Sequence, residues 1–189
     1  MIIVRTPLRL SIVGGGTDLP IWYKDNGSVF VSATINKYIY TTLHRSEFNK
    51  NIRVRYSKME EVGNVNEIQN EIVRETLKWN RDDSSLEITS HAEIPSGTGL
   101  GSSGAFGVSL LNALNPMFSK EEIARYSSYI QMKILNYPIG LQDQYSAAIG
   151  GFTKYEISKD GRIQTVPLYH LQNIEDKLCL FYTGIKRDT

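Results

Sequence analysis

The residues from 93 to 107, EIPSGTGLGSSGAFG, place five glycines and three serines directly before an apolar run. The apolar run predicts a helix, whose first N–H groups and positive dipole end would face the loop. Such a loop is typical of an anion site, and the hydroxyls of Ser102 and Ser103 could reach a phosphate oxygen or a magnesium ion. The alternative is a flexible turn in which a serine caps the helix. The backbone can bend and approach a ligand closely at the glycines at 97, 99, 101 and 104.

Two common nucleotide motifs do not explain this loop. Residues 99–104, GLGSSG, match G-x-G-x-x-G, but the dinucleotide fingerprint requires a second parallel strand soon after the helix. Pro116 and a second predicted helix follow instead. A Walker loop requires Gly-Lys followed by Ser or Thr, which this loop lacks.

A second glycine cluster lies near the N-terminus, in PLRLSIVGGGTDLP. Gly14, Gly15 and Gly16 follow an extended segment, and Thr17 and Asp18 come directly after them. A carboxylate in a glycine-lined pocket is a natural acceptor for the hydroxyls of a sugar. The alternative is an aspartate that initiates a turn before Pro20.

The third cluster is YPIGLQDQYSAAIGG, residues 137–151, in which Asp143 begins a segment of small residues. A carboxylate near a helix N-terminus keeps its charge. It could accept the proton of a substrate hydroxyl or orient that hydroxyl. The alternative is an ordinary helix cap.

The elements that would position these clusters form an α+β pattern, because strands and helices mix without regular βαβ alternation. Ser119, followed three residues later by Glu122, predicts a capping box at the start of one helix. Strands are predicted at 1–13, 28–46, 51–57, 85–95 and 177–184. Helices are predicted at 67–80, 102–114, 119–135 and 140–151.

Composition limits the classes of protein that this chain can represent. The 189 residues carry a formal net charge of +1, and this near-neutral charge does not indicate binding to a nucleic acid or an anionic membrane. Arg5 and Arg9 interrupt the apolar N-terminus, and the single cysteine, Cys179, fits a reducing compartment. We therefore expect a soluble, cytoplasmic protein of one domain; its oligomeric state stays open.

In this order, the three clusters resemble the small-molecule kinases of the GHMP superfamily. The match to their phosphate loop, P-x-G-x-G-L-G-S-S-A, departs only at Gly104, which replaces a small alanine. The outer clusters are similar to those of bacterial kinases that phosphorylate D-glycero-D-manno-heptose 7-phosphate at the anomeric position; fucokinase has a related opening. The loop positions that fit are Pro95, Gly97, Gly99, Leu100, Gly101, Ser102 and Ser103.

The resemblance implies a role for each cluster. Asp143 would accept or orient the proton of the attacking hydroxyl, with Arg9 beside the substrate as a second catalytic residue. Asp18 would bind sugar hydroxyls, with Thr17 beside it, and the glycines at 14, 15 and 16 would let the sugar approach the backbone. ATP phosphates would lie against residues 97–103, including Thr98, and Ser102 or Ser103 would help to hold Mg²⁺. The implied partners are thus ATP, magnesium and a sugar phosphate.

Two features depart from the family's pattern. Related kinases often carry a magnesium-binding glutamate where this chain has Gln131, and an amide is a poorer magnesium ligand than a carboxylate. The family also has a second α/β domain, which would begin near FYTG at 181–184. The resemblance therefore predicts that residues 1–189 form a single N-terminal, ATP-binding domain and that the C-terminal domain is absent.

Two other functions fit the same residues. One is a nucleotide- or sugar-binding module without turnover, which the short chain and Gln131 favour. The other is RNA binding, because the family's N-terminal half is similar to a ribosomal-protein domain. The near-neutral charge and the lack of a basic stripe argue against RNA.

Overall fold

A computed structural model describes residues 1–48, 50–169 and 177–185 of the chain. It shows a mixed seven-stranded sheet packed with helices, which confirms the predicted α+β class. The strands are β1 (Ile2–Val13), β2 (Ser28–Arg45), β3 (Ile52–Arg55), β4 (Met59–Val62), β5 (Leu86–Ala92), β6 (Phe152–Ile157) and β7 (Ile163–Pro167). The helices are α1 (Pro20–Asn26), α2 (Glu71–Asn80), α3 (Ser102–Leu114), α4 (Lys120–Tyr129) and α5 (Gln142–Ile149).

The long strand β2 organises the sheet. Its 18 residues are rich in Val, Ile, Thr and Tyr, which favour extended backbone. β1 pairs antiparallel with it from Ile2 to Val13. β2 pairs with β5 through residues 39–45 and with β6 through residues 28–33. Because residues in both stretches also pair with β1, the strands β5 and β6 lie along the edge of β2 opposite to β1. The order is β4-β3-β5-β2-β6-β7, and β3 with β5 is the parallel pair.

Side-chain caps fix where two of the helices begin. Asn70 accepts a hydrogen bond from the Val73 N–H at the start of α2. Ser119 and Glu122 form the predicted capping box at the start of α4. After α4 the chain continues as a π-helical turn, Ile130–Ile134, before the loop that leads to α5.

Helix α3 lies at the centre of the core. Leu110 and Ala113 pack with Val54 and Ile88 of the sheet. Other buried residues of α3, Ala105, Val108 and Leu111, pack with Leu8 of β1, Ile123 of α4 and Ala147 of α5. Because α3 is buried on several sides, its position fixes the loop that precedes it.

Some predicted elements need correction. The helix predicted from Glu67 begins at Glu71, after a 3-10 turn at Val65–Glu67, because Asn70 caps it. The strand predicted at 177–184 is wrong: these residues pair with no strand in the described part of the chain, and Phe181 is 82% exposed. Sequence reasoning did not predict α1, β4, β6 and β7.

Candidate active site

The glycine-rich loop reaches α3 with its backbone in alternating left-handed conformations. Gly97, Gly99 and Gly101 have φ of 79°, 77° and 76°, a region that glycine adopts without steric cost. Gly101 is the N-cap of α3 and no side chain caps the helix, so the alternative of a serine cap is wrong. Thr98 Oγ1 donates to the Pro95 carbonyl oxygen at 3.2 Å, which closes the turn that leads into the loop.

The first turn of α3 has the features of an anion site. Among the described residues, no acceptor hydrogen-bonds to the N–H groups of Ser102, Ser103 and Gly104. The first turn contains no acidic residue. Ser103 is exposed and Ser102 is partly exposed. Open N–H groups, the positive end of the helix dipole and two hydroxyls therefore face the same loop.

Arg9 of β1 joins this loop to Asp143 of α5. Its backbone N–H donates to the Leu100 carbonyl at 3.1 Å, and its Nη1 donates to the Gly99 carbonyl at 2.6 Å. Its Nε and Nη2 both donate to Asp143 Oδ1, at 2.9 and 2.6 Å. No hydrogen bond from the described residues reaches Asp143 Oδ2. One carboxylate oxygen is thus held by Arg9, and the other is available to a hydroxyl group.

Asp143 is not a helix cap. The N-cap of α5 is Leu141, which provides no side-chain hydrogen bond. Asp18 caps this helix from a distant part of the chain, because its Oδ2 accepts from the Gln142 N–H at 2.9 Å. Its Oδ1 accepts from the Gly16 N–H at 3.1 Å, and Asp18 is 5% exposed. Asp18 therefore fixes the start of the helix that carries Asp143.

The glycines of the second cluster have different neighbours. A Cβ on Gly14 would lie 2.2 Å from the Val29 carbonyl oxygen, and one on Gly15 would lie 2.9 Å from Ser11 Oγ. A Cβ on Gly16 would meet nothing within 4 Å, and φ there is 88°. Packing within the protein thus accounts for Gly14 and Gly15, whereas Gly16 faces open space. Thr17 Oγ1 donates to the Gly14 carbonyl at 2.8 Å, which holds the loop in shape.

The structure brings the three predicted clusters together. The contacts run from Asp18 to the start of α5, from Asp143 to Arg9, and from Arg9 to Gly99. The sequence analysis missed Gly140, whose Cβ would lie 1.9 Å from Asp18 Oδ2, and Gln142. The signal that could have identified them is their position in IGLQD, residues 139–143, the motif that ends at Asp143.

The Gln131 side chain lies against Gly107, in the second turn of α3. It is 1% exposed, donates to Ser127 Oγ at 3.2 Å and accepts from Gln144 Nε2 at 3.1 Å. These bonds connect the π-helical turn to α4 and α5, so the Gln131 amide is engaged in packing. In the three described ranges, His, Cys, Asp and Glu side chains nowhere gather in groups of three or more that could hold a metal ion. The hydroxyls of Ser102 and Ser103, at the start of α3, are oxygen ligands of the kind that magnesium binds.

Comparison with known proteins gives a match to one protein family. Residues 65–151 match the family described as GHMP kinases N terminal domain. This match confirms the predicted resemblance to the family. None of the helices within the described residues has the length and apolar character needed to cross a bilayer.

Three individual relatives show which kinases this chain is similar to. The D-glycero-alpha-D-manno-heptose 7-phosphate kinase of Campylobacter jejuni is 31% identical over 97% of this chain and 60% of its own length. A mevalonate kinase of Thermococcus onnurineus is 30% identical over 89% of this chain and 49% of its own. The crystal structure of a D-glycero-D-manno-heptose 1-phosphate kinase from Bacteroides thetaiotaomicron superposes with a TM-score of 0.80 at 27% identity, covering 89% of this chain and 60% of that one. The chain thus spans between about half and 60% of the length of these relatives.

Proposed function

We propose that this chain is the phosphate-binding part of an ATP-dependent sugar kinase that transfers the γ-phosphoryl group to a hydroxyl of a heptose 7-phosphate, at the anomeric position. The observation that supports this most directly is the double contact of Arg9, which hydrogen-bonds both Gly99 in the glycine-rich loop and Asp143. The kinases similar to this chain, one of them a heptose 7-phosphate kinase, support the choice of reaction and substrate.

In this proposal the glycine-rich loop and α3 bind the ATP phosphates. The N–H groups of residues 102–104 and the helix dipole stabilise the negative charge on the phosphate oxygens. Mg²⁺, held by ATP oxygens and by the Ser102 or Ser103 hydroxyl, would neutralise charge on the transferring group. The remaining loop residues, Pro95, Gly97, Thr98, Gly99, Leu100 and Gly101, shape the backbone that encloses the phosphates.

Asp143 acts on the sugar hydroxyl. The hydroxyl oxygen forms a bond to the γ-phosphorus while the bond from that phosphorus to the β–γ bridging oxygen breaks, and ADP leaves. The hydroxyl proton passes to Asp143 Oδ2, the oxygen that Arg9 does not occupy. Arg9 keeps the carboxylate in place and offsets negative charge near the reacting groups.

The second cluster binds the sugar in this proposal. Gly16 offers open backbone beside the start of α5, and Asp18 and Thr17 order the loop that carries it. Asp18 has lone pairs beyond the two that accept backbone N–H groups, so it can also accept from a sugar hydroxyl. Gly14 and Gly15 support this loop through close packing.

Product analysis tests this function. The full-length protein, whether or not it extends beyond these 189 residues, is incubated with Mg-ATP and a panel of sugar phosphates. We expect ADP release and a heptose 1,7-bisphosphate, identified by ³¹P NMR. Binding of Mg-ATP and sugar phosphate by calorimetry without any transfer would identify a binding module instead.

A further inference from the structure

The first turn of α3 lies in direct contact with the backbone of α5. A Cβ built on Gly104 would lie 2.5 Å from the Cβ of Asp143, 3.2 Å from its carbonyl carbon and 3.4 Å from its Cα. Carbon atoms in contact are about 3.5–4.0 Å apart. The atoms that such a Cβ would meet are backbone atoms and a Cβ, which no change of rotamer can move away.

The backbone conformation of Gly104 does not require glycine. Gly104 belongs to α3 and has no positive φ, unlike Gly101. Glycine inside a helix is less favourable than alanine. The close approach of Asp143 therefore explains why this position lacks a side chain.

The start of α5 has little freedom to move. On one side, Asp143 Cγ would be 3.3 Å from a Cβ on Gly101, and Arg9 holds Asp143 Oδ1. On the other side, Asp18 Oδ2 accepts from the Gln142 N–H, and a Cβ on Gly140 would lie 1.9 Å from that oxygen. A displacement of α5 away from α3 would therefore stretch the hydrogen bonds from Arg9, which are 2.6 and 2.9 Å long.

From these contacts we infer that Gly104 is a positioning residue: the missing side chain lets α5 approach α3 closely enough to hold Asp143 against Arg9 and beside the phosphate loop. Adding one methyl group at this position would displace Asp143 by about 1 Å, the difference between 2.5 Å and carbon contact distance. This inference rests on the proposed function only in the effect it assigns to turnover.

Gly107 provides a matched control on the same helix. A Cβ there would lie 2.3 Å from Gln131 Nε2 and 2.9 Å from Ser127 Oγ, so Gly107→Ala crowds the movable ends of two side chains, whereas Gly104→Ala meets the backbone and Cβ of Asp143. Gly104→Ala and Gly107→Ala thus add the same methyl group three residues apart. A loss of stability alone would affect both variants, whereas direct displacement of the Asp143 backbone is expected only in the first, because Gln131 can move its side chain without moving α5.

The experiment measures turnover and geometry separately in the full-length protein. We expect Gly104→Ala to lower kcat by about a hundredfold, the effect of a misplacement near 1 Å, with the Kd for Mg-ATP within about twofold of wild type. Gly107→Ala should keep kcat within about twofold. A kcat for Gly104→Ala within twofold of wild type would overturn the inference, and so would a loss of Mg-ATP affinity as large as the loss of turnover.

A second readout does not depend on activity. The Arg9 Nε–H donates to Asp143, so its proton should exchange slowly with solvent in ¹⁵N–¹H spectra, with assignment from Arg9→Lys. Gly104→Ala should lose this protection and Gly107→Ala should retain it. Absence of phosphoryl transfer in the wild type would reject the proposed function alone, whereas retained protection in Gly104→Ala would reject this inference.

Asp143→Glu covers the case in which Gly104→Ala does not fold. This variant keeps Gly104 and the negative charge but moves the carboxylate outward by one methylene. If the position fixed by Gly104 matters, kcat should again fall by about a hundredfold. A variant that keeps more than a tenth of wild-type turnover would show that the position of the carboxylate is not critical, against the inference.

Discussion

Replacing Asp143 by asparagine tests the centre of the proposed mechanism. Asparagine has nearly the same shape, and its side-chain oxygen can still accept from Arg9 at the place of Oδ1. The NH₂ group then occupies the place of Oδ2, where it can donate a hydrogen bond but cannot take the hydroxyl proton. The substitution therefore removes the proton acceptor while leaving the site's shape intact.

The expected magnitude follows from this separation. General-base groups contribute about a hundred- to ten-thousandfold in rate, so kcat should fall by that much, with the Michaelis constants for ATP and sugar changing only a few-fold. The Arg9 and Asp143 side chains are 12% and 29% exposed. Replacing the charged acceptor of Arg9 by a neutral amide oxygen should cost about 1–2 kcal/mol of unfolding free energy, or several degrees in Tm for a chain of this size.

The assay is steady-state kinetics with a coupled ADP readout, together with calorimetric titration of Mg-ATP and a thermal melt of each variant. Asp18→Asn is a useful comparison, because it changes a nearby carboxylate to which the proposal assigns sugar binding and no proton transfer. A loss of kcat below about tenfold in Asp143→Asn would mean that positioning alone carries the reaction. The role of proton acceptor would then be wrong.

Further predictions concern the neighbouring groups. Gly101→Val should abolish Mg-ATP binding by calorimetry while circular dichroism stays native, because φ is 76° and a Cβ would lie 3.2 Å from the Arg9 side chain; unchanged affinity would rule out the loop as the phosphate site. Asp18→Asn should raise the sugar KM at least about tenfold and leave the Kd for Mg-ATP within about twofold; an effect confined to ATP would contradict its place on the sugar side. Burial and a hydrogen bond to Glu71 raise the pKa of Tyr137 to about 12, so its contribution to stability is complete below about pH 10 and is lost as the pH rises toward 12. Urea unfolding between pH 10 and 12 should show that the free energy of unfolding falls less steeply with pH in Tyr137→Phe than in the wild type. Equal slopes in the two proteins would contradict the raised pKa of Tyr137.

Residue patterns predicted the individual motifs better than their contacts. The loop, the start of α3 and the capping box at Ser119 follow from local chemistry, and the structure shows all three. Arg9 and Asp143 lie 134 positions apart in sequence, and no local pattern indicates that they touch. Their convergence was expected from the order of the three motifs in a known family.

The missed elements have physical reasons. One interpretation of Asp18 is that it initiates a turn before Pro20, but proline is also favoured in the first turn of a helix, where α1 has it. The segment 177–184 alternates like a strand, yet in the described residues no neighbouring strand pairs with it. The capping of α5 by Asp18 is a tertiary contact, so sequence showed a carboxylate before Pro20 but not the helix that it serves.

The glycines of the three motifs divide into two groups by what surrounds them. Gly14, Gly104 and Gly140 each leave room for an atom of the protein itself, whereas Gly16 faces open space. The motifs therefore form the packing contacts between β1, α3 and α5 as well as a surface for ligands. Contacts as close as these hold Asp143 in place before any ligand binds, so little reorganisation is needed during the reaction. That preorganisation requires the same close contacts that exclude side chains at these positions.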